Sequence, residues 1–208
     1  MRTLRCVPRY YLSNAGFFYK MKKICVYIDG ANFYGGLKSI NPKYTDERFD
    51  LKRYIKYITK DCLINHIYYY NASLKQQLNK GPFKRQQILF SRLRKIPSCK
   101  VILCKRKPRL NTEGKEYHII KGDDVYLTLD MISDAYEDKY DKAIIISSDG
   151  DFTPLIERVR KLNKEVEICY FKDCVSSDLL KSSNKNHLIN KKIVKKFFFK
   201  ENIDTKNK

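Results

Sequence analysis

The stretch that decides the fold is Ile144-Ile145-Ile146-Ser147-Ser148-Asp149-Gly150-Asp151-Phe152-Thr153-Pro154-Leu155-Ile156. Residues 143–146 form a short apolar run, rich in β-branched side chains and bounded by polar residues. Such a run suits a parallel strand covered on both faces. Gly150 is expected to let the chain turn sharply. Pro154 fits the first turn of a helix, where its missing N–H costs nothing. In open α/β sheets, ligands gather beyond the carboxyl ends of the strands, and Asp149 and Asp151 fall at such an end.

Two other segments have the same design. Residues 22–28 are an apolar run that stops at Asp29-Gly30-Ala31-Asn32-Phe33. Further on stands Lys121-Gly122-Asp123-Asp124, followed by Val125, Leu129 and Ile132 at helical spacing. That spacing predicts a helix whose first turn carries Asp123 and Asp124. Carboxylates therefore arrive from two strand ends and one helix start.

The chain has 208 residues, enough for one α/β domain, and a formal net charge of +20. The excess favours a polyanionic partner, most simply nucleic acid. The signs are segregated. Residues 75–109 hold twelve basic and no acidic side chains, while residues 121–157 hold ten acidic and three basic. A uniform lysine bias does not separate the signs in this way. An acidic centre flanked by basic surface suits a metal-dependent enzyme acting on a phosphate polymer. The seven cysteines show no paired framework or zinc-ligand spacing. They read as reduced thiols of a cytoplasmic protein. No stretch is long and apolar enough to span a membrane.

Taken in order, residues 1–20 read as a basic, poorly ordered extension, with Met21 as the functional start. Strands are predicted at 22–28, 62–70, 99–104, 142–146 and 165–171. Helices are predicted at 31–40, 51–58 (capped by Asp50), 83–95, from 123, at 152–162, and in a short piece capped by Ser176 or Ser177. Residues 105–116 read as loop and 117–120 as a short extended piece. The main domain is expected over 21–184. Residues 185–208 form a lysine-rich segment with an edge strand at Phe197-Phe198-Phe199 and a disordered tail. Alternating strands and helices predict a mostly parallel sheet flanked by helices on both sides.

With their order and spacing, Ile28-Asp29-Gly30-Ala31-Asn32-Phe33, Lys121-Gly122-Asp123-Asp124 and Ser148-Asp149-Gly150-Asp151-Phe152 resemble the NYN domain, a branch of the PIN-like nucleases, and in particular its LabA-like bacterial group. The resemblance covers residues 22–171. It implies a PIN-like, Rossmannoid three-layer fold and a Mg²⁺- or Mn²⁺-dependent ribonuclease. By resemblance Asp29, Asp124, Asp149 and Asp151 form the metal-binding and catalytic centre, with Asn32 accessory. Ser148 stands where the family often has Gly. Asp123 stands where it usually has an apolar residue, so either carboxylate of the Asp123-Asp124 pair is a candidate ligand.

Phosphodiester hydrolysis needs an activated water and relief of charge in the transition state, both of which divalent metals supply. Mg²⁺ takes oxygen ligands, so converging Asp side chains suit it. Asn32 is expected either to orient a metal-bound water or to cap the following helix. Ser148 either donates to a phosphate or satisfies the turn. Lys121 either touches substrate or is simply exposed. Lys84, Arg85, Arg92, Lys95, Arg106, Lys107 and Arg109 are the candidate nucleic-acid surface. The Tyr68-Tyr69-Tyr70 run reads as core rather than as a base-stacking platform.

A nucleic-acid-binding or regulatory module with little turnover is the alternative. A dehalogenase-like phosphatase needs an acid two positions after Asp29, where Ala31 stands. A receiver-type phosphoacceptor needs an Asp at the middle strand, which here ends in basic residues. RNA is preferred to DNA by resemblance alone.

Overall fold

The structure, a computed structural model, describes residues 10–12, 18–60, 62–74, 80–110, 112–114 and 116–199. Strands β1 (Tyr10–Leu12) and β2 (Phe18–Lys20) pair as a small antiparallel hairpin. The rest of residues 1–20, and the tail expected after residue 199, lie outside the described residues.

Seven strands build the main sheet. They are β3 (Lys23–Asp29), β4 (Leu63–Ala72), β5 (Cys99–Leu110), β6 (Glu116–Lys121), β7 (Lys142–Ile146), β8 (Glu165–Tyr170) and β9 (Lys185–Leu188), in the order β6-β5-β4-β3-β7-β8-β9. Only the β5–β6 pairing is antiparallel. The chain starts in the middle at β3, builds outward through β4 and β5, then returns to add β7 on the other side of β3. That reversal is a topological switch point, and it opens a crevice between the carboxyl ends of β3 and β7.

Period-2 alternation in β3 explains the three layers. Ile24, Val26 and Ile28 join one core with α1 (Gly30–Ile40), α2 (Leu51–Ile58), α3 (Lys80–Arg94) and α7 (Lys191–Phe197). Cys25 and Tyr27 join the other with α4 (Asp123–Tyr136), α5 (Thr153–Lys161) and α6 (Ser177–Ser182). Caps lie where the sequence puts them. Asp50 accepts from the Arg53 amide, Ser176 accepts from the Leu179 amide, Pro154 sits in the first turn of α5, and Asn163 ends it at φ +59°. Tyr68, Tyr69 and Tyr70 are all buried, as expected for core tyrosines.

Some elements differ from expectation. Residues 105–110 continue β5 instead of looping, and pair with β6 beyond the end of β4. Their run of charges hides the strand, because a two-stranded ribbon is held by its backbone and leaves side chains in water. Pro108 is tolerated there because an edge pairing does not need every N–H. Helix α4 buries Leu127, Met131 and Ala135, whereas Val125 and Leu129 are exposed. The edge strand of the carboxyl-terminal segment is Lys185–Leu188. Phe197 instead closes α7, in the core, and Phe198 only bridges Phe49. Asn190 caps that helix by accepting from the Ile193 amide, which favours helix over strand in the phenylalanine-rich stretch. Gly150 has no positive φ. Its requirement is space, since a Cβ there meets Ser176 Oγ at 2.9 Å.

Candidate acidic active site

Asp29 is the last residue of β3 and the N-cap of α1. Its Oδ1 accepts from the Asn32 amide at 2.9 Å, and its Oδ2 accepts from Ser147 Oγ at 3.1 Å. Gly30 follows because the Tyr69 ring fills the space beside it, and a Cβ there lies 2.6 Å from Tyr69 Cζ. This geometry locks a carboxylate that is only 5% exposed.

The end of β7 is tied to it. Ser147 Oγ, while donating to Asp29, accepts from the Asp149 amide at 3.1 Å. Asp149 in turn caps the next turn, its Oδ1 accepting from the Asp151 amide at 3.0 Å. One hydroxyl thus joins the two strand-end acids across the switch point. Sequence reasoning does not single out Ser147. Its only signal there is adjacency to the acidic turn, and the register that pairs β3 with β7 supplies the rest.

Helix α4 brings the third acidic segment. Gly122 precedes it at φ +92°, a left-handed conformation that favours glycine, and no side chain caps the helix. Asp123 and Asp124 occupy the first turn, where the helix dipole favours anions. Burial pushes the Asp29 carboxyl up to about 6, and the charges of Asp123 and Asp124 push the same way against its two hydrogen bonds. The Asp124 carboxyl rises to about 6 by partial burial and by the charges of Asp123, Asp149 and Asp151. Asp29, Asp123, Asp124, Asp149 and Asp151 therefore share one electrostatic environment at one sheet edge. Asp130, on the α4 face expected for Asp123, accepts from Tyr70 Oη at 2.8 Å.

The accessory residues take structural roles. Asn32 does not cap α1 through its side chain, a role that Asp29 takes. The Asn32 Oδ1 accepts from the Ser148 amide at 2.9 Å and braces the acidic turn. Ser148 is fully buried, and its Oγ accepts from the Phe171 amide at 2.9 Å, so it satisfies the turn rather than facing a phosphate. The side chains of Lys121 and Arg106 lie outside the described residues.

In the basic surface, Lys84, Lys95, Lys107 and Arg109 are exposed. Arg85 and Arg92 are exposed as well, and each also holds a partner within the protein. Arg85 pairs with Glu47 at 3.7 Å, and Arg92 donates to the Glu47 carbonyl while its guanidinium lies 4.7 Å from the Phe199 ring centroid. On α3, Ile88 is exposed, and Phe90 packs inward with Leu89 and Leu93. The β5–β6 ribbon leaves the sheet at Cys104, whose thiol burial and the charges of Asp123, Asp124 and Asp29 push up to about 11. The ribbon that carries Lys105, Lys107 and Arg109 therefore rises beside the acidic centre.

The donor set is all oxygen and suits Mg²⁺ or Mn²⁺ in kind. Among the described residues, no three acidic, His or Cys side chains close on a single point. Among the described residues no helix is long and apolar enough to cross a membrane.

No curated protein matches the sequence. The chain resembles a crystal structure of a protein of unknown function from Vibrio parahaemolyticus, with a TM-score of 0.58 at 20% identity over 82% of this chain and 94% of that one. The likeness establishes the α/β fold. The NYN domain model matches residues 23–190, which include β3, the α4 start and the β7 turn. The chain belongs to the NYN domain family, within the PIN-like nuclease superfamily.

Proposed function

We propose that this protein is a divalent-metal-dependent ribonuclease. The observation that carries the reading is the linkage of Asp29 and Asp149 through Ser147 at the switch point, with Asp124 and Asp151 in the same field. In this reading Asp29 and Asp149 hold the cation, and Asp124 and Asp151, with Asp123 beside them, complete the acidic field. A bound Mg²⁺ or Mn²⁺ supplies a water of lowered pKa and neutralises charge on the phosphate. Asn32 and Ser147 fix the two acids before substrate arrives, which lowers reorganisation at the moment of reaction. Asp29, raised and buried, is uncomfortable as a lone anion, and a cation relieves that penalty.

Lys84, Lys95, Lys107 and Arg109, with Lys121 and Arg106, form the proposed phosphate-tracking surface. RNA is the proposed polymer, and DNA is the competitor to be tested. The alternative of a binding module with little turnover draws on the carboxylates' failure to close on one point.

The deciding experiment incubates purified protein with end-labelled RNA and DNA in Mg²⁺, Mn²⁺ or EDTA. Asp29→Asn and Asp149→Asn serve as controls. Metal-dependent RNA cleavage that both substitutions abolish, with the fold retained, supports the enzyme. RNA binding without cleavage in any metal supports the binding module. Cleavage that persists in both variants overturns the site assignment.

A further inference from the structure

A second cavity opens at the same carboxyl edge, on the α1–α3 side of the acidic centre. Its volume is about 400 Å³, within the range of pockets that take small ligands. Ala31 and Tyr34 of α1, Asn71 of β4, Pro82 and Arg85 of α3, and Asp46 from the loop before α2 line it. It adjoins the acidic centre directly. Asp29 faces Tyr70 in the β3–β4 register, so Asn71 is the next residue beyond. The wall between the two is Tyr69, whose ring abuts Gly30 and whose hydroxyl donates to Asp46 Oδ2 at 3.1 Å.

The lining has two halves. Tyr34 is 39% exposed, and its ring lines the cleft with Ala31 and Pro82 as apolar neighbours. The Lys38 ammonium sits over that ring, 5.4 Å from its centroid, and steadies it. The other half is polar. Asp46 Oδ1 accepts from the Glu47 amide and Oδ2 from Tyr69, so the carboxylate keeps two of its roughly four acceptor positions. Asn71 Oδ1 accepts from the Ala72 amide at 2.7 Å, while its Nδ2 makes only a long 3.5 Å contact to Tyr69. An acceptor and a donor thus line the same cleft as the Tyr34 ring.

Two carboxylates, Asp46 and Glu47, line the cleft against one cation, Arg85, which pairs with Glu47 at 3.7 Å, so the lining is not a phosphate cradle. It suits a planar group that stacks on a ring and presents an N–H beside an acceptor, as nucleobase edges do. The chain's formal charge of +20 draws in a polyanion, and the base is the uncharged part of one. We propose that this cleft holds the base of a single-stranded RNA nucleotide whose neighbouring phosphate lies at the acidic centre. The position of that phosphate rests on the ribonuclease reading, whereas the base-holding site itself does not.

The test measures binding of the full chain in EDTA, where cleavage cannot occur. A fluorescently labelled RNA octamer is compared with an octamer of the same backbone made abasic at every position. Wild type is expected to bind the base-bearing strand roughly 5- to 150-fold more tightly, the range that stacking one base gives. Tyr34→Ala should remove most of that difference, Tyr34→Phe should keep it, and both should retain the wild-type melting temperature. Equal binding of the two octamers by wild type, or an unchanged ratio in Tyr34→Ala, overturns the proposal. A parallel cleavage assay in Mg²⁺ separates the two readings. Tyr34-dependent base binding by a chain that never cleaves retains the cleft and retires the nuclease, and cleavage indifferent to Tyr34 with no base preference does the reverse.

Discussion

Replacing Asp29 by Asn should stabilise the metal-free protein while ending its activity. The reasoning starts from a carboxyl whose value rises from 3.8 to about 6 on folding, chiefly through burial. A raised carboxylate prefers to be protonated in the fold. Its ionised form therefore opposes folding, and the cost grows as pH climbs from about 4 to about 6, then stays constant. A shift of about two units corresponds to at most about 3 kcal/mol at pH 8. Asn keeps the shape, still accepts from the Asn32 amide, and presents an N–H that Ser147 Oγ can accept. For a chain of this size, about 3 kcal/mol is roughly 6–12 °C in melting temperature. The assay is thermal unfolding followed by circular dichroism, in EDTA, from pH 4 to pH 8. The gain in Asp29→Asn over wild type should be near zero at pH 4 and full by pH 7. Adding Mg²⁺ should narrow it, by stabilising wild type and leaving the variant unmoved. A variant that melts no higher than wild type at pH 8, or a gap that does not change with pH, refutes the argument.

Gly30→Ala should destabilise by about 1–3 kcal/mol, the usual cost of overpacking, because the new Cβ meets the Tyr69 ring at 2.6 Å; chemical denaturation measures it, and an unchanged midpoint contradicts the close packing. Glu167 is expected to govern acid stability. Burial alone would raise its carboxyl, but His187 and Lys142, at 2.7 and 2.6 Å, bring it down to about 2. Its contribution of about 3 kcal/mol is present above about pH 4.5 and disappears as pH falls toward 2, so Glu167→Gln should flatten the melting profile across that window. Neutralising Arg106, Lys107 and Arg109 together should weaken RNA binding and reduce its salt slope by about 0.7 for each phosphate that is no longer neutralised; identical slopes in a salt titration would retire the ribbon as a binding surface.

Much of the core architecture is legible in the sequence because its signals are local. The β7 strand, the three acidic segments and the caps at Asp50 and Ser176 each follow from a few adjacent residues. What escapes depends on partners remote in sequence. The buried face of α4 is hard to read because Asp134 lies on it, satisfied by Tyr27 Oη at 2.8 Å and by Lys139. A charge at a core position breaks the apolar period and leaves Val125 and Leu129 as the more visible stripe. Ser148 and Asn32 look functional in sequence because both flank the acidic turns. Their hydrogen bonds, to Phe171 and to each other, build the turn, and those partners are remote in sequence. The base-sized cleft has no sequence signal, since α1, the end of β4, α3 and a connecting loop each contribute only two or three side chains.

The central place of β3 also sets the order in which the molecule becomes competent. Ser147 reaches Asp29 across 118 positions of sequence. A ribosome working from the amino terminus lays down β3, β4, β5 and β6, one complete wing of the sheet, before β7 has been made. The growing chain at that stage has Asp29 but neither the hydroxyl that orients it nor Asp149 and Asp151. On the proposed function, a nascent polypeptide tethered beside its own message is therefore inert, and it becomes able to cut RNA only when the second wing docks against the first.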